Sequence, residues 1–470
     1  MKKTYNLKLA AGAALFLSLI VSCKVSKDIQ APDMGLPSTY RETKTDTTTI
    51  AVIPWKTFFA DPQLNRLINE GIANNFDLQL AVKNIEIARQ TLGQAKWGNI
   101  PTVGLQATAL SNRPSDNSLN GFQLNNFLNQ KHIEDYNLSA SLSWEADIWG
   151  KIRSRKASAL ADYLGTEEAR KAVQTQLVSS IAKGYYNLQL LDEQLNIAEK
   201  NVKLNDSTLI IINLQYESGQ VSSLAVQQAQ AQKLTSARLV PLFQQQIVVQ
   251  ENALSVLTGK LPEPIERSKT ITKFSDNLSA GIPVALLQNR PEIMQAELAL
   301  KKANAVVGYS KAAMYPSLTI SAQGGLNAIE ASDWFTMPAS LFGVIAGGIT
   351  QPLLNQRKLR TQYEIAKINR EQVVIQFRQS VVIAAGEVSD ALVKKERIRE
   401  QKEFLVEKVA TLQKATANSN MLFQNGLATY LEVIIAQSNA LQSELELATV
   451  QKSELDAIVD LYRSVGGGWK

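Results

Sequence analysis

The sequence predicts an α+β membrane protein in which short amphipathic strands feed very long helical hairpins, and in which this plan occurs twice. Three observations predict it. In Asn137–Arg155, NLSASLSWEADIWGKIRSR, Leu138, Ala140, Leu142, Trp144 and Ala146 alternate with Asn137, Ser139, Ser141, Ser143, Glu145 and Asp147. Period two marks a strand wetted on one face. The stretch from about Lys151 to Tyr216 has no proline, and apolar residues recur every three or four positions. That is a coiled-coil seam about 90 Å long at 1.5 Å per residue. Finally, Asn74–Ala107 aligns without gaps to Asn289–Ala322, with identities including Asn74/Asn289, Gly93/Gly308, Lys96/Lys311 and Pro101/Pro316. A repeat of this length is a duplicated domain rather than a solenoid unit.

Residues 1–22 read as a signal peptide. Lys2 and Lys3 form a basic end, Leu9–Val21 an apolar core, and Ile20-Val21-Ser22-Cys23 resembles a lipobox. The apolar core is short for a bilayer span, so cleavage is favoured over an uncleaved anchor. Cys23, the one cysteine in the chain, would then become an acylated first residue, with a thioether lipid and an added acyl chain such as palmitate. Residues 23–53 read as a lipidated flexible tether, with Pro32, Pro37, a Thr-rich run from Thr43 to Thr49 and few apolar residues.

The first repeat should occupy residues 54–258. Asp61-Pro62 is a helix N-cap followed by proline at the first helical position, and Leu64, Leu67 and Ile68 share a face of the helix that follows. A second helix is expected over about Asp77–Trp97, ended by Pro101, and Thr102–Leu110 then alternates as a strand. Ser111–Tyr136, polar and Asn-rich, reads as a long loop before the strand described above. In the long helix, Val173, Leu177, Ile181, Tyr185, Leu188, Leu191, Leu195, Ala198 and Val202 form the seam. Glu217-Ser218-Gly219 breaks it, and a returning helix over about Ser222–Leu257 should kink at Pro241.

Residues 259–283, with Pro262, Pro264 and Pro283, read as a linker, and the second repeat as residues 284–463. Strands are expected over Ser317–Leu326 and about Ser340–Leu353. A long helix over about Lys358–Asn420, a break at Asn425-Gly426 and a return over Tyr430–Tyr462 complete it, with residues 464–470 as a tail. Gly219, Leu224, Val226, Ala229 and Gln230 recur as Gly426, Leu431, Val433, Ala436 and Gln437, 207 positions on.

Net charge is +6, and about +3 without Lys2, Lys3 and Lys8 of the leader. No basic patch suggests nucleic-acid binding, and one cysteine with one histidine makes no Cys/His zinc site or disulfide within the chain. No nucleophile–base or metal constellation points to an enzyme or a cofactor. Strands of about ten residues suit a membrane barrel, yet four cannot close one and open edges are not viable in lipid. Copies must pool strands: two give eight, three twelve, four sixteen. Ser139, Ser141, Ser143, Thr319, Ser321 and Gln323 would then line the lumen. A soluble β-layer under a helical bundle is the alternative reading of the same alternation.

Trp55 through Asp61-Pro62, Asn75–Arg89, Leu142–Arg153, Asn289-Arg290-Pro291-Glu292-Ile293, Tyr315-Pro316-Ser317, Phe423–Gln437, and Leu461-Tyr462 with Gly466-Gly467-Gly468-Trp469 follow one another over roughly 90% of the chain. In that order they resemble the TolC-like outer-membrane efflux channels, and among them the NodT-type lipoprotein branch. The resemblance implies a homotrimer with a twelve-stranded transmembrane barrel, four strands per chain, continued by a periplasmic α-helical barrel. It implies a passive channel without catalysis or cofactor, exporting small molecules such as drugs or toxic compounds. Its implied partners are a periplasmic adaptor (membrane fusion protein), an inner-membrane transporter of the RND class and outer-membrane lipid.

The two helix breaks should form periplasmic tips, with Gly219, Val221, Ser222, Gly426, Ala428 and Thr429 beside a docked adaptor. The resemblance places Phe423, Glu432 and Ile435 at the entrance constriction; Ile435 stands where an acid is common, and Ala225 occupies the matching place on the first tip. Trp144, Trp149 and Trp334 suit either an interfacial aromatic belt or a core. Asp147 reads as a turn or cap residue, and His132 as an ordinary loop residue. Two other readings stay open: the duct of a type I protein secretion system, and a lipid-anchored periplasmic adaptor or scaffold.

Overall fold

The structure is a computed structural model and describes residues 25–37, 39–40, 49–128, 130–268, 274, 279–281 and 283–470. The expected signal peptide and Cys23 lie outside the described residues, as do residues 41–48 of the expected tether and residues 269–273, 275–278 and 282 of the expected linker.

The long elements run in the order α1 (Pro62–Asn74), α2 (Phe76–Trp97), β1 (Thr102–Asn112), α3 (Leu119–Leu128), β2 (Ile133–Ala146), α4 (Lys151–Glu217), α5 (Ser223–Ala237), α6 (Leu239–Leu257), α7 (Pro291–Ala312), β3 (Ser317–Ala328), β4 (Leu341–Thr350), α8 (Lys358–Gln424) and α9 (Tyr430–Ser464). The region expected to be one loop, residues 111–136, is largely structured. Leu119, Leu124 and Phe127 interleave with neutral polar residues, and Ser118 Oγ caps α3 by accepting from Gly121 N–H at 3.1 Å. The returning helix of the first hairpin divides at Arg238, three residues before Pro241. Proline lacks a donor and crowds the carbonyl four residues back, which is Ala237.

Two compact units emerge, and neither is one sequence repeat. The first comprises the described part of Met1–Ala31, with Glu86–Leu164 and Leu298–Ile375. Its strands form an antiparallel meander, β1-β2-β3-β4. Register puts Leu105 opposite Ala140, Leu142 opposite Ala322 and Ala322 opposite Ile345, so one face is apolar from edge to edge. Asp147 ends β2 by capping α4: its carboxylate accepts from Ile152 N–H at 2.8 Å and Arg153 N–H at 2.9 Å. The part of the expected tether described here is not free, because Ile29 is hydrogen-bonded on both sides of its backbone to the buried Asn304.

The second unit comprises Pro32–Ile85, Gly165–Glu297 and Gln376–Lys470, among the described residues. Its core joins Trp55, Phe58 and Phe59, Leu64 and Ile68 of α1, Leu177–Leu188 of α4, Val381–Val388 of α8 and Leu455–Tyr462 of α9. Phe58 stacks on Tyr462 with centroids 3.9 Å apart. The C-terminal tail packs in as well: Gly466–Gly468 are buried, and Lys171 Nζ lies 4.7 Å from the Trp469 ring centroid.

Candidate functional site

Two surfaces stand out, and each lies within one unit. The first is the apolar sheet face. Val103 is 73% exposed, Leu105 79%, Ile345 85% and Ile349 73%. Water disfavours so much contiguous apolar surface, at about 25 cal/mol per Å². β1 and β4 each pair on one side only, so both edges present free backbone donors and acceptors. Aromatic groups mark both ends of the strands. Tyr136 lies 5.4 Å from Trp334, which lies 5.1 Å from Phe335. At the helix end Trp144 Nε1 donates to Asn99 O at 3.0 Å, and Trp149 stacks on Tyr315 at 4.8 Å while donating to Pro316 O at 2.8 Å. Eight residues separate Tyr136 from Trp144, about 27 Å along the strand or about 20 Å of height at a barrel tilt, near the apolar band of outer-membrane barrels.

The opposite face carries the polar residues expected there, and Gln323 Nε2 donates to Ser139 Oγ at 3.0 Å. On β4, however, Phe342, Val344 and Ala346 fall on that same face. Among the described residues no helix is long and apolar enough to cross a membrane.

The second surface is the pair of hairpin turns. Gly219 and Gly426 hold φ of +77° and +74°, a conformation in which a Cβ is costly. Ser222 and Thr429 are exposed, while Val221 and Ala428 are half-buried against an apolar cluster. That cluster unites the two turns: Leu209, Ile212, Ala225 and Ala229 from the first hairpin, Phe423 and Val433 from the second. Phe423, expected at the entrance, is only 4% exposed. Its ring packs in the cluster that joins the two hairpins. Ala225 is likewise fully buried, and Ile435 is 50% exposed.

Glu432 is exposed, but its carboxylate accepts from Thr429 N–H at 2.6 Å and from Thr429 Oγ1 at 3.3 Å. It is the third residue of a capping box on α9. A buried bond missed by sequence reasoning lies nearby: Gln437 Nε2 donates to Thr208 Oγ1 at 2.8 Å, linking the hairpins. The recurrence of glutamine at Gln230 and Gln437 was the available signal, though Gln230 is exposed.

A polar knot secures the first hairpin and the start of the linker. Tyr185 Oη donates to Asp61 Oδ2 at 2.8 Å and accepts from Ser268 N–H at 2.9 Å. Arg267 grips both oxygens of Asp192 at 2.5 and 2.7 Å and meets Glu251 at 2.6 Å. Burial pushes the Tyr185 hydroxyl up to about 12, opposed by the Ser268 hydrogen bonds and reinforced by Asp61. Burial raises Tyr186 further. The hydrogen bonds that Arg267 donates to Asp192 hold it protonated. Among the described residues no group of three His, Cys, Asp or Glu side chains could hold a metal ion.

Comparison with known proteins bears on both surfaces. Residues 67–260 and 282–467 match the model of the outer membrane efflux protein family. The cation efflux system protein CusC of Escherichia coli O6:H1 is 28% identical over 460 residues, covering 96% of this chain and 97% of that protein. A crystal structure of CusC superposes with a TM-score of 0.83 at 27% identity, covering 95% of this chain and all of the other. A probable outer membrane lipoprotein, SilC of Salmonella typhimurium, is 28% identical over 477 residues and 99% of each chain. The solvent efflux pump outer membrane protein SrpC of Pseudomonas putida is 29% identical over 417 residues, covering 88% of this chain and 87% of its own.

Proposed function

We propose, from the premise that this chain belongs to the outer membrane efflux protein family, that three copies pool their strands into one twelve-stranded barrel and act as a passive duct. The chain is an outer-membrane efflux channel component of a tripartite pump. Each copy contributes the meander β1-β2-β3-β4, with the β4 edge of one pairing to the β1 edge of the next. The apolar face meets lipid and the Ser/Thr/Gln face lines the water path. The helical hairpins extend into the periplasm, where a membrane fusion protein docks at the turns and an inner-membrane transporter of the RND class supplies the energy. Cys23 carries the lipid. No reaction is catalysed.

One observation carries this reading: a sheet with two unpaired edges and one continuous, exposed apolar face, which a single chain leaves unsatisfied both in water and in lipid. The cargo is a class of small molecules or ions rather than a protein. CusC is named for cations and SrpC for solvents at nearly the same identity to this chain, so the choice of cargo falls to the inner-membrane pump. Native mass measurement of the detergent-extracted protein should give three copies, and planar-bilayer recording should show a discrete conductance. A monomer without conductance refutes the reading.

A further inference from the structure

We propose that Asn304 is a clamp that holds the N-terminal segment against α7 and thereby fixes how far the chain start ranges from the strands. Its side-chain amide engages Ile29 on both sides: Ile29 N–H donates to Oδ1 at 3.0 Å, and Nδ2 donates to Ile29 O at 2.7 Å. That is how one strand grips another, here supplied by one side chain, itself only 7% exposed. Arg370 Nη1 adds a bond to Lys27 O at 3.3 Å. One turn along α7, Gly308 leaves the room the segment needs. A Cβ there would lie 3.0 Å from Ser154 Oγ and 3.1 Å from Ser26 Oγ. Ile29 itself is 39% exposed, so polar contacts to its backbone, not apolar burial, hold it.

The duplication supplies an internal control. Asn304 and Gly308 stand 215 positions after Arg89 and Gly93. In the first copy Arg89 sits over the Tyr163 ring at 6.0 Å, and a Cβ on Gly93 would meet nothing within 4 Å. Both copies have the glycine; the copy with asparagine carries the strap.

The clamp has a consequence for the anchor, and this part rests on the reading of Cys23 as acylated. Six residues separate Cys23 from Ile29, at most about 21 Å of extended chain. From Asn304 to the end of α7 is about 12 Å, and β3 starts at Ser317. An acyl chain on Cys23 is thus kept within reach of the foot of the sheet, so anchor and strands enter the same leaflet.

Limited trypsin digestion of the full-length protein extracted in detergent tests this, with the Lys27–Asp28 bond followed by mass spectrometry. Asn304→Ala should be cut at least tenfold faster than the parent at equal oligomer yield. Asn304→Asp, which keeps the acceptor but sets an anion against Ile29 O, should be cut at least fivefold faster. Parental rates in both overturn the clamp. If neither variant accumulates, hydrogen exchange in the unaltered protein decides: the Ile29 amide should exchange at least tenfold slower than in a free peptide, and free-peptide exchange overturns the clamp. Cys23→Ser separates the two claims. Slow cutting at Lys27 should persist in it, and fast cutting means the anchor, not Asn304, holds the segment. The mass of its N-terminal peptide, which should lack the acyl mass that the parent carries, tests the acylation reading alone.

Discussion

The first hairpin returns in two pieces, α5 and α6, whereas the second returns as the unbroken α9. Their seams differ too. Along the second hairpin, Lys394 meets Asp460 at 3.4 Å, Lys402 meets Glu454 at 2.7 Å, Lys408 meets Glu446 at 3.1 Å, and Gln413 donates to Glu444 at 2.7 Å. Along the first, amides and hydroxyls dominate: Asn187 donates to Gln250 at 2.9 Å and Asn205 to Ser236 at 2.7 Å, with Lys233–Asp206 as an ion pair. The junctions into the long helices diverge as well. In the first copy Gly150 takes φ of +73° and Asp147 caps α4. In the second, the place of Gly150 falls to Arg357 at φ of +63°, and that of Asp147 to Leu354, which is 99% exposed. A duplicated backbone plan therefore tolerates different local chemistry, provided that each copy keeps the turn and the buried seam.

The largest effect should come from forcing the break of one hairpin onto the other. Ala448 is the counterpart of Pro241 by the 207-residue offset, and it is buried within α9. Ala448→Pro removes a helix hydrogen bond and strains the preceding turn, a cost of about 3 kcal/mol or more. The melting temperature of the detergent-extracted protein should fall sharply. Pro241→Ala, at a break already accommodated by its neighbours, should move it much less. Equal, small shifts would show that the continuity of α9 contributes nothing the first hairpin lacks.

Next in size is an alkaline limit belonging to the first hairpin. Tyr185 and Tyr186 are buried on α4, and their counterparts on α8 are Leu392 and Val393. A buried tyrosine whose folded pKa is raised favours the neutral form. Its contribution is complete below the ordinary value near 10 and is lost as pH climbs through the folded value, about 12 for Tyr185. Melting followed from pH 9 to 12 should therefore show stability declining above about pH 10. Tyr185→Phe should flatten part of that decline while costing about 1–3 kcal/mol at neutral pH, because Asp61 and the Ser268 N–H lose a buried partner. A pH profile unchanged by Tyr185→Phe would remove this tyrosine from the alkaline limit.

Much of this was legible in the sequence because strands and coiled coils write their periods directly. Leu138–Ala146 alternates, and Leu177, Ile181, Tyr185 and Leu188 are fully or nearly buried as their spacing requires. Asp61-Pro62 and Gly219 or Gly426 act locally, within a few residues of what they shape. What stayed hidden depends on distant partners. The orientation of Phe423 is set by Leu209 and Ile212 on the other hairpin, and the docking of Ile29 by an asparagine 275 residues away. Helix α3 was masked by its own composition, since Asn and Gln between apolar residues read as loop until Ser118 is seen to cap it.

The smallest expected effect on stability is the most informative about the tip. At the second turn Glu432 accepts from the N–H of the N-cap residue Thr429; at the first the N-cap residue is Ser222 and the place of Glu432 is taken by Ala225, which has no acceptor to offer. Glu432 thus has two separable attributes, an acceptor aimed at Thr429 N–H and a negative charge. Glutamine also serves in a capping box, so Glu432→Gln keeps the acceptor and deletes the charge, and melting should shift by no more than about 0.5 kcal/mol. Under the trimeric reading the same change removes three charges from one ring, which should lower cation over anion preference in bilayer recordings, since rings of acids favour cations. Reduced selectivity at unchanged stability assigns the carboxylate to the entrance. Unchanged selectivity confines Glu432 to its cap, and the second turn then differs from the first only in how firmly its returning helix is started.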